Sequence, residues 1–171
     1  MPEHDVERFE RIILPHLDDA YTLARYLVRD SHAAQDVVQD AALRALRYFD
    51  GYRGGDARAW LLSIVRNVSL TWRQRTAGDA HTVDIADIGV AGGHETDAAA
   101  IESSERERIV GAIESLPEEF REIIVLREIE ELSYKEISTV VGVPVGTVMS
   151  RLARGRKRLA ALLGVGVEEA G

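Results

Sequence analysis

Between Leu132 and Leu163 the chain runs LSYKEISTVVGVPVGTVMSRLARGRKRLAALL, and the order of its helix signals narrows how it can fold. Ser133 followed by Glu136 forms an S-x-x-E capping box, in which hydroxyl and carboxylate satisfy two amides left unpaired at a helix start. Ile137, Val140 and Val141 recur at helical spacing and give that helix an apolar face. Gly142 can adopt the positive φ of a helix end, and Pro144 suits the first turn of a second helix. At about 100° per residue, Val148, Leu152, Leu159 and Leu162 fall on one side of that second helix. Thr147, Arg151, Arg154 and Arg158 fall on another, with Ser150 at its edge. Arg156 points away from this stripe, as a surface or partner residue. Gly155 inside the helix costs ~1 kcal/mol against alanine, so close packing is its one evident reason.

Two short helices, a tight glycine turn and a stripe of hydroxyls and guanidiniums are the layout of a helix-turn-helix that reads duplex DNA. Local charge agrees. Lys135, Arg151, Arg154, Arg156, Lys157 and Arg158 face one acid, Glu136, in a chain of net charge -8. Residues 1–76 are neutral, 77–105 hold seven acids and no Lys or Arg, and the later acids gather before Leu132. Local patches, and not the total, decide contacts with nucleic acid.

At 171 residues the chain can hold one domain or two small ones. It has no cysteine, which excludes disulfides and thiolate metal sites. No apolar run approaches the ~20 residues of a membrane span, and the first residues lack a signal-peptide pattern. A cytoplasmic protein without membrane insertion is expected.

From Val6 to about Arg75 the pattern is helical, broken at Pro15. The spacing predicts helices over about 16–28 and 33–49, the latter with Val37, Val38, Ala41, Leu43, Ala45 and Leu46 on an apolar side. Asp30 and Ser31 are turn and cap residues. Asp50 to Gly55 is a glycine loop, and Asp56 caps a helix that buries Trp60, Leu61, Ile64, Val65 and Val68. Residues 77–98 have the composition of an acidic flexible linker, with room for an ordered turn around Val83–Ile88. Helix resumes near Ala99 and again at Pro117, with Phe120, Ile123, Ile124, Leu126 and Ile129 as its core face. No segment of strand period appears. The expected fold is all-α: two small helical domains, 1–76 and 99–171, joined by the linker.

Six stretches in order give this pattern a family resemblance: Ala34 to Asp40 (AQDVVQD), Trp60-Leu61, Arg66-Asn67, Leu116-Pro117, Leu132 to Ile137 (LSYKEI) and Val145 to Leu152 (VGTVMSRL). Together they resemble the extracytoplasmic-function (ECF, group IV) family of bacterial RNA polymerase sigma factors, over about four-fifths of the chain. The resemblance implies a region 2-like domain that binds core polymerase and the -10 element. It also implies a region 4-like helix-turn-helix domain for the -35 element. It puts Asp36, Gln39 and Asp40 on the core-polymerase contact, and their spacing sets them on one exposed helix side. It puts the -10 DNA contacts among Tyr52, Arg53, Arg58, Arg66, Asn67 and Arg73, where unpaired bases need stacking surfaces and nearby cations. Tyr48, Phe49 and Arg75 belong to the same supply, Trp60 is expected in the core, and Trp72 stays open. The family often has Asp where this chain has Thr71. At -35, Thr147, Ser150, Arg151, Arg154 and Arg158 match the recognition-helix positions.

The function so implied is a promoter-specificity factor with core RNA polymerase and promoter DNA as partners and an anti-sigma factor as regulator. Two alternatives stay open: a sigma-like decoy that binds an anti-sigma factor, and a dimeric helix-turn-helix repressor. An enzyme is not expected. His4, His16, His32, His81 and His94 are scattered, His32 and Asp36 lack a third ligand at matching spacing, and no Walker-type loop or nucleophile elbow occurs. No metal or cofactor is called for.

Overall fold

The computed structural model describes residues 3–77 and 97–165. Most of the expected linker, including Val83–Ile88, lies outside the described residues. Among those described, every regular element is helical.

The first module holds α1 (Glu3–Ile13), α2 (Leu17–Val28), α3 (Ser31–Arg47) and α4 (Ala57–Thr76). Pro15 sits in a single 3-10 turn, Leu14–His16, which redirects the chain between α1 and α2. Asp30 caps α3 by accepting from the amides of His32 and Ala33, and Asp56 caps α4 by accepting from that of Ala59. Leu23, Leu27, Val37, Ala41, Leu61, Leu62 and Val65 meet in the middle of the three longer helices, each at most 2% exposed. Leu43, assigned by its spacing to the apolar side of α3, is instead 60% exposed. It sits beyond the width of the stripe that α2 and α4 cover.

The second module holds α5 (Asp97–Glu114), α6 (Glu118–Ile124), α7 (Tyr134–Val141) and α8 (Val145–Leu163). Pro117 stands just before α6, and Glu118 and Glu119 occupy its positive end. The α6 helix then widens into one π turn, Val125–Ile129. The extra residue rotates the chain beyond it, so Ile129, expected in the core, is 39% exposed, whereas Glu130 turns inward to 5%. Gly155 has the packing reason its position implied. A Cβ there would lie 3.2 Å from the Ile124 side chain and 3.4 Å from the Phe120 Cβ, so the missing methyl lets α8 close on α6. Leu162, placed by its spacing with Val148 and Leu152, is instead 53% exposed.

The two modules are not apart. Helix α4 packs along α7, α2 packs against α6, and one continuous apolar cluster runs from Phe9 to Leu152. Periodicity assigns each helix an apolar face but cannot say that the faces of two modules adjoin.

Candidate nucleic-acid and polymerase interface

The helix-turn-helix forms as its signals require. The Ser133 hydroxyl accepts from the Glu136 amide at 3.1 Å, and the Glu136 carboxylate accepts from the Ser133 amide at 3.0 Å. Gly142 ends α7 at φ 77°, a conformation that favours glycine. Val148 and Leu152, at 0% and 2% exposure, anchor α8 against α6 and α7.

The burial of α8 sorts the basic residues. Ser150, Ala153, Arg154 and Lys157 are exposed, and helical geometry sets them opposite Val148 and Leu152. Thr147 and Arg151 flank this line and are half-buried, and the Ser150 hydroxyl donates to the Thr147 carbonyl. Arg158 lies with its guanidinium carbon 4.8 Å from the centre of the Phe120 ring, which ties it to α6. Arg156 binds Glu128 at 2.6 Å on the other flank. Lys157, absent from the stripe given by spacing, belongs to the outward line. Its signal was available, since it stands seven residues after Ser150, two turns along one face.

On α3, Asp36 and Gln39 are exposed, and Asp40 is half-buried and paired with Arg44 at 3.1 Å. Leu43, four residues beyond Gln39, extends this patch with apolar surface. Helical spacing alone hides it, because spacing counts every leucine near the apolar stripe as core.

The loop before α4 is built on aromatic packing. Tyr52 is 8% exposed, its ring stacks on Phe49 at 5.7 Å, and its hydroxyl donates to the Gly55 carbonyl at 2.7 Å. Its centroid lies 5.2 Å from that of Trp60, which packs against the core but is only half-buried. Tyr52 and Phe49 thus hold the loop from beneath rather than offering free faces. Gly54 and Gly55, at φ 88° and 95°, turn the chain back over them. Arg53 is exposed at the rim of a cleft of about 520 Å³ lined also by Trp60, Ser63, Lys135, Glu136 and Thr139. The cleft therefore has one wall from each module.

Along α4 the expected contacts separate. Asn67 is exposed, and the Thr71 hydroxyl donates back to its carbonyl at 3.0 Å. Trp72, left open by the sequence, packs partly buried against the core. Arg58 lies 3.8 Å from Asp19 within the first module. Arg66 and Arg73 instead face the second module, where Arg66 binds Glu122 at 2.7 Å and Arg73 lies 3.0 Å from Glu118. Beneath them Arg121 is 3% exposed and donates to the Leu116 carbonyl. Burial, then the positive charges of Arg29 and Arg73, pull Arg121 down to about 10, so it remains a cation at neutral pH.

Among the described residues no group of three or more potential metal ligands occurs, and no helix is long and apolar enough to cross a membrane.

Residues 12–78 match the Sigma-70 region 2 family, and residues 106–159 match the Sigma-70, region 4 family. The chain is 33% identical over 153 residues to the ECF RNA polymerase sigma factor SigE of Mycolicibacterium smegmatis, covering 88% of this chain and 60% of that protein. It is 35% identical over 168 residues to the RNA polymerase sigma-H factor of Pseudomonas aeruginosa, covering 91% and 86%. It is 32% identical over 150 residues to the ECF RNA polymerase sigma-E factor of Escherichia coli, covering 82% and 78%. Among solved structures, the sigma factor RpoE in complex with the anti-sigma factor NepR from Bartonella quintana superposes with a TM-score of 0.73. It is 27% identical, and the match covers 93% of this chain and 98% of that one. CnrH in complex with the cytosolic domain of CnrY superposes at a TM-score of 0.66 and 27% identity, covering 91% and 87%.

Proposed function

This chain belongs to the extracytoplasmic-function family of RNA polymerase sigma factors, and from that premise we propose how its residues divide the work. It binds core RNA polymerase in the cytoplasm, directs transcription initiation at promoters with -35 and -10 elements, is held in check by an anti-sigma factor, and catalyses no reaction itself. The observation that carries the reading is one chain bearing both an outward basic line on α8 and an outward polar patch on α3. A free-standing repressor has no use for the second, and a decoy has none for the first.

In this division residues 1–76 take core polymerase and the -10 element, 77–98 link, and 99–171 take the -35 element. Asp36, Gln39 and Asp40, with Leu43 beside them, meet a basic and partly apolar polymerase surface. Ser150, Arg154 and Lys157 enter the major groove first, with Thr147, Arg151 and Arg158 on the flank toward the phosphates. A bidentate arginine–guanine pair discriminates by ~1–3 kcal/mol. The anti-sigma assignment is supported by the likeness to RpoE, solved with NepR.

Run-off transcription on fragmented genomic DNA, with bacterial core polymerase plus and minus this protein, tests the whole reading. New start sites and a complex with core are expected; absence of both rejects it. Arg151→Ala and Arg154→Ala should each cut initiation about tenfold, the loss of one good base or phosphate contact, while core binding holds. Loss of core binding in these variants would mean that α8 has been misassigned.

A further inference from the structure

The seam between the modules engages Arg66 and Arg73, which the family resemblance puts among the -10 contacts. Arg66 donates from Nε and Nη2 to the two oxygens of Glu122 at 2.7 and 3.2 Å, and the two side chains are 19% and 3% exposed. Arg73 meets Glu118 at 3.0 Å, one turn of α6 away. At the other end Arg25 reaches the Glu114 carboxylate at 3.4 Å, and Arg29 donates to the Glu114 carbonyl at 3.3 Å. In each of these pairs the cation comes from the first module and the acceptor from the second. A row of carboxylates offers guanidinium groups much what a phosphate backbone offers, anionic oxygens in bidentate reach.

We propose that the edge formed by Glu114, Glu118 and Glu122 is an internal competitor for single-stranded DNA, so that the chain rests closed and must part before Arg66 and Arg73 can take phosphates. The competition rests on the functional reading of α4; the closed state rests on the contacts alone.

The seam also holds a proton. Glu130, turned inward by the π turn, faces the Asp19 carboxylate of α2, with Arg58 of α4 beyond it. Burial, then the charge and hydrogen bond of Asp19, push Glu130 up from 4.5 to about 8, with Arg58 pulling the other way. Parting exposes Glu130 to water and returns it toward 4.5. The closed state therefore binds a proton that the open state releases, and that contribution is complete below 4.5 and lost as pH rises through about 8. Alkaline pH loosens the latch.

The chain has no cysteine, so Arg47→Cys on α3 and Ala161→Cys on α8, both exposed, give two unique sites for spin labels on the full chain. Pulsed electron-spin distances should show one short population near pH 6 and a longer one growing toward about pH 9. Glu122→Gln and the more exposed Glu118→Gln should each lower the closed-to-open ratio about tenfold, as expected for unpairing a partly buried cation. Glu102→Gln on α5 should leave it unchanged, and Glu130→Gln should remove the pH dependence. Binding of a fluorescein-labelled oligothymidylate should tighten in step with opening. Native distances in both Glu118→Gln and Glu122→Gln, with helix content intact by circular dichroism, would overturn the latch. Opening without tighter oligothymidylate binding would overturn the competition. If the latch opens as described but run-off transcription shows no initiation, the functional reading falls and the closed state stands.

Discussion

Leu43 projects from α3 beside Gln39, 60% exposed, and Tyr48, just past the end of that helix, is equally exposed. A lone surface leucine is ordinary; its place beside the Asp36–Asp40 patch gives it a proposed part in holding polymerase. Leu43→Asp should alter folding stability by no more than about 0.5 kcal/mol and weaken core binding by about tenfold or more. Fluorescence anisotropy against core polymerase reads this, and an unchanged affinity would take Leu43 off the contact. Gly155 is the opposite case, a residue whose value lies wholly inside. Gly155→Val would drive two methyls toward Ile124 and Phe120, which lie 3.2 and 3.4 Å from where a Cβ would stand, and should cost about 1–3 kcal/mol in urea unfolding. The sequence showed a costly glycine; the reason for it came from a helix 31 residues upstream.

Short elements depend on their ends. Helix α7 has eight residues, so its capping box makes up a large share of what holds it. Ser133→Ala should lower stability by about 1 kcal/mol in thermal unfolding, and a change near zero would mean that packing on α4 and α8 sustains the helix without its cap. The S-x-x-E spacing, Gly142 and the caps Asp30 and Asp56 were legible because each acts within four residues of itself. The π turn after α6 was not, since no local residue type marks it. It is the widened turn that reverses Ile129 and Glu130, sending the isoleucine to solvent and the carboxylate inside.

For the molecule as a whole, the burial of Glu130 makes stability fall as pH rises from about 4.5 toward 8, because the folded chain keeps a proton that the unfolded chain gives up. Melting temperature should drop across that window in the native chain, and the drop should be smaller in Glu130→Gln. An identical drop in both would place the linkage elsewhere. The same seam explains why Arg66 and Arg73, exposed in any isolated view of α4, stand paired with acids more than 40 residues away.

The order of caps, turns and apolar periods determined the all-α class, the two modules and the helix-turn-helix, since these arise from interactions between residues a few positions apart. The polar spacing on α3 and the basic stripe on α8 were legible for the same reason. Only the tertiary structure decided which members of each set face water. It buried Tyr52 under its own loop, tied Arg158 to Phe120 and joined the acids of one module to the arginines of the other. The first two depend on packing within a module and the last on which faces meet across the linker, and helical periodicity carries no information about either.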